Sequence, residues 1–294
     1  MINERYPNLY IVGAPKCGTT SIAKWLNEHG DCYLPTVKEP HYFNDDDGHQ
    51  MTKSKTEYLN LYQENHRILI DASVWYLFSD SAISNIEKAT NAKAKYIVCI
   101  RNPVEMVEAL HAEQVLGGNE DIDDFTLAWS AQEARLVGKK LKRSTHAPRH
   151  LQYGLACKLG DQIEKMLQKV DHNRVKFVFL EDMKNEPQRV FDSICTFLCI
   201  KSIKKESFIK HNSSKTLNSR NLHKLALILI SLKHNLRWLP SLGIISKIKS
   251  LNIKPGNRKP VSKNMKDNIL LPYFHNDICK LERVLNKDLS HWKE

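Results

Sequence analysis

Residues 9–20 read Leu-Tyr-Ile-Val-Gly-Ala-Pro-Lys-Cys-Gly-Thr-Thr, and this stretch decides the fold. The apolar run Leu9–Val12 is typical of a buried strand, the Gly/Pro loop after it breaks the strand, and a helix is expected from about Thr19. The first amide groups of a helix have no partner within the helix, and they lie at the positive end of its dipole. The stretch therefore predicts a phosphate-binding loop.

The spacing Gly13-x4-Gly18 is that of a P-loop, in which a lysine directly follows the second glycine. Here Thr19 stands at that position, and the lysine lies inside the loop as Lys16. Lys16 can reach over a bound anion and neutralise charge that develops on a leaving group. Thr19 and Thr20 can hold phosphate, or cap the helix, or do both. We predict a nucleotide-phosphate site unlike that of an ordinary ATPase.

Strand-like and helix-like segments alternate along the chain. This alternation predicts an α/β fold of the P-loop nucleotide-binding type, with a parallel sheet and helices on both faces in three layers. Its ligand is expected at the carboxyl ends of the strands. The strand candidates are Leu9–Val12, Ile68–Ile70, Lys95–Ile100 and Val175–Leu180, and the helix candidates cover about 19–28, 55–65, 80–90, 103–115, 124–138, 151–170, 186–198 and 262–285.

Composition predicts a single domain over 1–294, since 294 residues with 41% apolar side chains can bury a core. The seven cysteines are odd in number and lack a framework spacing, so we expect reduced thiols in a cytoplasmic protein without structural zinc. The first residues show no apolar signal region, and the longest apolar run, Leu225–Leu232, is too short to cross a bilayer.

The net charge of +11 is concentrated late in the chain. Residues 201–266 hold 16 Lys and Arg but only Glu206 as an acid, which favours anionic partners. The same segment has one Trp and one Phe, too few to stack on bases, so we predict no nucleic-acid partner. We interpret 201–256 as a basic, partly helical lid or substrate-side insertion. A helical apolar pattern within 222–245 can cover a cleft, touch a membrane peripherally or pack on the core.

The segment Thr36-Val-Lys-Glu-Pro-His-Tyr-Phe43 holds two candidate bases. Pro40 favours an extended turn, in which Glu39 and His41 face one side and Lys38 the other unless the turn twists. Either of the two can take a proton from an acceptor hydroxyl. The alternative is a structural Glu–Lys pair and a core histidine.

Two further candidate residues directly follow predicted strands. Arg101 suits a second phosphate, since its guanidinium binds phosphate oxygens in pairs, although it can instead pair with an acid of a neighbouring loop. Asp71 resembles the magnesium-binding partner of a P-loop. It supports the alternative function, a small-molecule kinase using ATP and magnesium, against which the missing lysine at position 19 counts.

Several motifs together resemble a known family. Ala14-Pro-Lys-Cys-Gly-Thr-Thr-Ser21 resembles the 5′-phosphosulfate loop of sulfotransferases that use 3′-phosphoadenosine 5′-phosphosulfate (PAPS), and Arg101-Asn-Pro-Val104 resembles the start of their 3′-phosphate motif. Lys38-Glu-Pro-His-Tyr-Phe43 is similar to the catalytic segment of carbohydrate sulfotransferases, including the heparan-sulfate type. Phe179–Met183 and Asp288–Trp292 are similar to late segments of the family.

The resemblance implies in-line transfer of a sulfonate to a hydroxyl, leaving adenosine 3′,5′-bisphosphate, with no metal. The acceptor would be a saccharide or glycolipid, and the basic segment 201–266 favours one that is already anionic or is presented at a membrane. Lys16 would stabilise the departing oxygen, and Glu39 or His41 would be the base. The donor would be bound by Pro15, Lys16, Cys17, Gly18, Thr19, Thr20, Ser21, Arg101 and Arg258.

Two positions depart from the family pattern. Ala109 stands where a serine usually contacts the 3′-phosphate, and Met106 stands where many members have arginine. Arg258, in the late basic segment 254–259, can replace the lost contact.

Overall fold

The computed structural model describes residues 5–46, 48–142, 145–208, 215–217, 253–256 and 261–294. Arg258 and the 222–245 segment of the sequence analysis lie outside these ranges.

A five-stranded parallel sheet lies at the centre of the fold, in the order β2-β3-β1-β4-β5. Every residue of the central strand β1 is buried, which explains its continuous apolar run. The predicted α/β class is confirmed. The strands are β1 (Leu9–Gly13), β2 (Cys32–Tyr33), β3 (Ile68–Asp71), β4 (Lys95–Ile100) and β5 (Val175–Phe179). β2 is absent from the prediction because two residues carry no readable pattern.

Helices surround this sheet. They are α1 (Thr19–Asn27), α2 (Lys55–Asn60), α3 (Ala82–Ala89), α4 (Pro103–Gly117), α5 (Phe125–Ser130), α6 (Gln132–Leu136), α7 (Tyr153–Ala156), α8 (Leu159–Leu167), α9 (Leu180–Asn185), α10 (Pro187–Leu198), α11 (Lys263–Met265) and α12 (Leu271–Leu285). A π-helical segment, Lys266–Leu270, joins the last two. Short 3-10 turns cover Pro148–Leu151, His172–Arg174 and Ser290–Trp292.

The helix predicted over 151–170 is divided in the structure. The carboxylate of Asp277, in α12, accepts the amide hydrogens of Gly160 and Asp161 at 2.9 Å each, and α8 begins there. A cap from so far along the chain leaves no local signal. The predicted helix over 124–138 is likewise two helices, α5 and α6.

The interval 201–256 contains two described strands that the sequence did not predict. β6 (Lys215–Leu217) pairs antiparallel with β7 (Ile253–Pro255) in a separate two-stranded sheet. Among the helices of the described ranges, none combines the length and apolar character that a bilayer crossing needs.

Candidate functional site

The loop between β1 and α1 is fixed to the carboxyl edge of the sheet. The amide of Ala14 donates to the carbonyl of Cys99 in β4 at 2.9 Å. Lys16 and Gly18 have φ angles of 65° and 94°, in the left-handed region. A Cβ on Gly18 would lie 3.0 Å from side-chain atoms of Leu180 and Met183, so this turn requires glycine.

The start of α1 presents unpaired amide groups. Gly18 is the N-cap residue and provides no side-chain cap, and the first turn contains no acid. Within the described residues, the amides of Gly18, Thr19 and Thr20 donate to no acceptor. The threonines are therefore not N-caps, and the unpaired amides at the helix start are an arrangement that can hold an anion.

Three other predicted donor-binding residues of this stretch are buried. The thiol of Cys17 lies 3.7 Å from the sulfur of Met106, and burial raises its pKa well above the usual value. Pro15 and Ser21 are also buried. Pro15 has no amide hydrogen, and the amides of Cys17 and Ser21 donate to the carbonyls of Ala14 and Gly18. None of these three predicted binding residues therefore offers a free backbone donor to an anion. Met106 and Ala109, the two departures from the family pattern, are buried on α4.

Two cations meet at the loop. The guanidinium of Arg101 donates to the carbonyl oxygen of Lys16 at 3.3 Å and, with two nitrogens, to Glu105 Oε2 at 3.0 and 3.1 Å. Lys16 Nζ lies 3.2 Å from Glu113 Oε2. The acid that pairs with Arg101 belongs to α4, the helix that follows Arg101 in the chain, rather than to a neighbouring loop. The structure thus brings together the two predicted phosphate-binding residues. Each is paired with a partly exposed carboxylate that a phosphate could replace.

The 38–41 segment borders the same edge of the sheet, where the amide of Ala72 donates to the carbonyl of Lys38 at 3.2 Å. Lys38 Nζ pairs with Glu39 Oε1, and His41 Nε2 lies 3.2 Å from Glu39 Oε2. Glu39 and His41 meet as predicted. Lys38 does not face the other side, as a fully extended segment implied, but pairs with Glu39, and the segment is not extended throughout, since His41 has a φ of 46°.

Charged partners determine the ionisation of Glu39. Burial raises the pKa of its carboxyl, but the hydrogen bond from His41 and the charge of Lys38 outweigh this and lower it to about 2. The Glu39 side chain is 33% exposed and that of His41 only 2%. Of the two candidate bases, Glu39 is the one that an acceptor can reach.

His41 is held by the protein around it. Its amide donates to Ser73 Oγ at 3.0 Å, and its ring packs edge-on against His49 with centroids 4.6 Å apart. Its Nδ1 is buried without a hydrogen-bond partner among the described residues. This packing fixes the orientation of Nε2 toward Glu39.

Asp71 does not play the part that the kinase alternative requires. Its Oδ1 accepts from the amide and hydroxyl of Ser73, and its Oδ2 accepts from the hydroxyls of Tyr58 and Tyr76 at 2.8 and 3.0 Å. Asp71 is fully buried, and burial raises its pKa. All of these contacts are internal, so the sequence argument for a magnesium ligand is wrong.

Sequence reasoning missed Glu105 and Glu113, whereas the Lys38–Glu39 pair and the buried His41 match the alternative that it left open. Glu105 had a usable signal, since it follows Arg101 by four residues at the start of a predicted helix. Glu113 gave no local signal, because it meets Lys16 only when the loop folds over α4.

The sulfotransferase domain family model matches residues 7–236, and the chain belongs to this family. It is 20% identical over 229 residues to a bifunctional heparan sulfate N-deacetylase/N-sulfotransferase 1 of Caenorhabditis briggsae, a match that covers 73% of this chain and 25% of that protein. It is 24% identical over 163 residues to carbohydrate sulfotransferase 15 of Rattus norvegicus, covering 40% of this chain and 29% of the relative. The chain thus spans under a third of each curated relative.

The fold is also that of a solved structure. A sulfotransferase from Alicyclobacillus acidocaldarius superposes with a TM-score of 0.70 at 21% identity, over 99% of this chain and 100% of that one. This match supports the architecture of the chain.

Proposed function

We propose that this chain is a sulfotransferase that moves the sulfonate of PAPS to a hydroxyl of a saccharide or glycolipid acceptor. The main observation that supports this proposal is the uncapped start of α1 beside Lys16 and Arg101. Unpaired amides and two cations suit a ligand with phosphate groups at both ends of one ribose. The whole chain, 1–294, would act as one such domain.

The open amides of Gly18, Thr19 and Thr20 would hold the 5′-phosphate. Lys16 Nζ would leave Glu113 and donate to the oxygen that departs from sulfur, where negative charge develops. Arg101 would bind the 3′-phosphate, exchanging Glu105 for phosphate oxygens. PAPS, when bound, supplies the activated sulfonate.

Glu39 would accept the proton of the acceptor hydroxyl. It is ionised at neutral pH and can be reached from solvent, while His41 stays buried behind it. His41 would orient the carboxylate, and Lys38 would keep it charged until the acceptor arrives. The names of the two curated relatives support a carbohydrate acceptor.

The experiment measures binding of adenosine 3′,5′-bisphosphate by calorimetry, and transfer of radiolabelled sulfonate from PAPS to a panel of glycans and small alcohols. Lys16→Ala should lose roughly 10²–10³-fold in turnover, because one charge-stabilising donor is lost. Lys93→Ala, an exposed lysine before the amino end of β4, is the matched control and should be unchanged. Binding of ATP with magnesium in place of the bisphosphate contradicts the proposal.

A further inference from the structure

A groove opens beside Arg101, on the side of β4 that faces β5. It is open to solvent, and its walls come from the start of α4, from α9 and from the Ser290–Trp292 turn. Three basic side chains line it: Arg101, Lys184 and His291. The acids of the groove are Glu105 and Glu181.

The Ser290–Trp292 turn is anchored at this position. The Oε2 atom of Glu181 lies 3.2 Å from His291 Nε2 and 3.4 Å from Trp292 Nε1. Trp292 is buried and packs on Phe179 with ring centroids 6.0 Å apart. These contacts hold the half-exposed imidazole of His291 at the groove.

The groove adjoins the phosphate loop, because Arg101 donates to the carbonyl of Lys16. A nucleotide whose 5′-phosphate lies on the start of α1 can therefore place a second phosphate, one ribose away, in this groove. The usual serine hydroxyl is absent here, since the buried Ala109 takes its position. Lys184 is exposed at the groove, and it has no ion-pair partner among the described residues.

We infer that Lys184 and His291, together with Arg101, bind the 3′-phosphate of the donor. This inference rests on the proposed function. Carboxylate and phosphate oxygens accept hydrogen bonds from the same donors. A phosphate can thus replace Glu105 on Arg101 and Glu181 on His291, both of these acids being partly exposed, and take Lys184 as a further cation.

The test compares adenosine 3′,5′-bisphosphate with adenosine 5′-monophosphate, which lacks only the 3′-phosphate, by calorimetry on the full chain. The wild-type protein should bind the bisphosphate more tightly. Lys184→Gln and His291→Gln should each reduce this preference on the order of tenfold and leave monophosphate affinity unchanged. Arg189→Gln, which removes a charge on α10 outside the groove, is the control and should keep the full preference.

An unchanged preference in both groove variants overturns the inference and leaves the proposed function intact. Equal binding of the two nucleotides by the wild-type protein overturns the inference and also contradicts the role proposed for Arg101. Failure of the wild-type protein to bind the bisphosphate contradicts the proposed function itself. Should His291→Gln unfold, which thermal melting would show, the exposed Lys184 variant decides alone.

Discussion

Two carboxylates near the end of β3 have opposite surroundings. Asp71 is enclosed in the core, and the donors to it among the described residues are neutral: the hydroxyls of two tyrosines and the hydroxyl and amide of Ser73. Glu39 reaches the surface and pairs with the cation of Lys38 and the imidazole of His41. Burial dominates at Asp71 and raises its pKa, whereas the partners dominate at Glu39 and lower its pKa to about 2.

This difference shows which acid organises the fold and which one is available to a substrate. A fully buried acceptor with four internal donors stabilises its surroundings and offers nothing to a ligand. A partly exposed carboxylate that is paired with charged side chains can contact the hydroxyl of an acceptor substrate. The predictions below test this division of roles.

The largest expected effect is on turnover. Glu39→Gln keeps the shape of the side chain but removes the proton acceptor, so the sulfonate transfer rate should fall roughly 10²–10⁴-fold. Urea unfolding of the variant should still be cooperative. Glu64→Gln, at an exposed acid elsewhere, is the control. Full activity of Glu39→Gln would exclude this carboxylate as the base.

Asp71→Ala should act on stability. The substitution leaves the hydroxyls of Tyr58, Tyr76 and Ser73 without their acceptor in the core, which costs roughly 3 kcal/mol or more. Urea denaturation measures the loss. Tyr58→Phe removes one donor and should cost about 1 kcal/mol. If Asp71→Ala has the same urea midpoint of unfolding as the wild type, the hydrogen bonds to Asp71 do not stabilise the core.

The pH dependence of stability should differ in sign between the two acids. The pKa of Glu39 is lowered from 4.5, so its contribution is present above about pH 4.5 and is lost as pH falls toward 2. The pKa of Asp71 is raised from 3.8, so its contribution is present below that value and is lost as pH rises through the folded-state pKa.

The unfolding free energies of the wild type and of Glu39→Gln are measured from about pH 5 downward, and the difference between them isolates the contribution of the ionised Glu39 carboxylate. Their difference should shrink by roughly 1–2 kcal/mol toward pH 2, a figure reduced for the partial exposure of Glu39. A constant difference across this range means that Lys38 and His41 do not stabilise the ionised carboxylate.

The smallest expected effect concerns a third carboxylate, Glu113, which is half-exposed and pairs with Lys16. Glu113→Gln frees the lysine, and affinity for adenosine 3′,5′-bisphosphate should rise roughly 1.5- to 5-fold, as expected for an exposed pair. Glu133→Gln, on α6, should leave the affinity unchanged. Weaker binding by Glu113→Gln would show that the pair positions Lys16 for the donor.

The loop and the sheet were predictable because their signals are local. An apolar run predicts β1, and the glycine spacing predicts the turn that follows it. That α1 starts without a side-chain cap is known only from the structure, since the sequence allowed Thr19 or Thr20 to cap it. The Glu39–His41 contact also followed from short spacing along the chain. The partners of Lys16 and Asp71 could not be predicted in this way, because Glu113 and the tyrosines come from other elements.

By itself, the sequence determined the strand, the loop and the two cations at the carboxyl edge of the sheet, since backbone propensity and charge act over a few residues. Only the tertiary structure decided which acid is buried and which is exposed. Burial and ion pairing depend on distances between segments far apart in the chain. In the folded chain, Asp71 is therefore buried among internal hydrogen-bond donors, whereas Glu39 remains partly exposed.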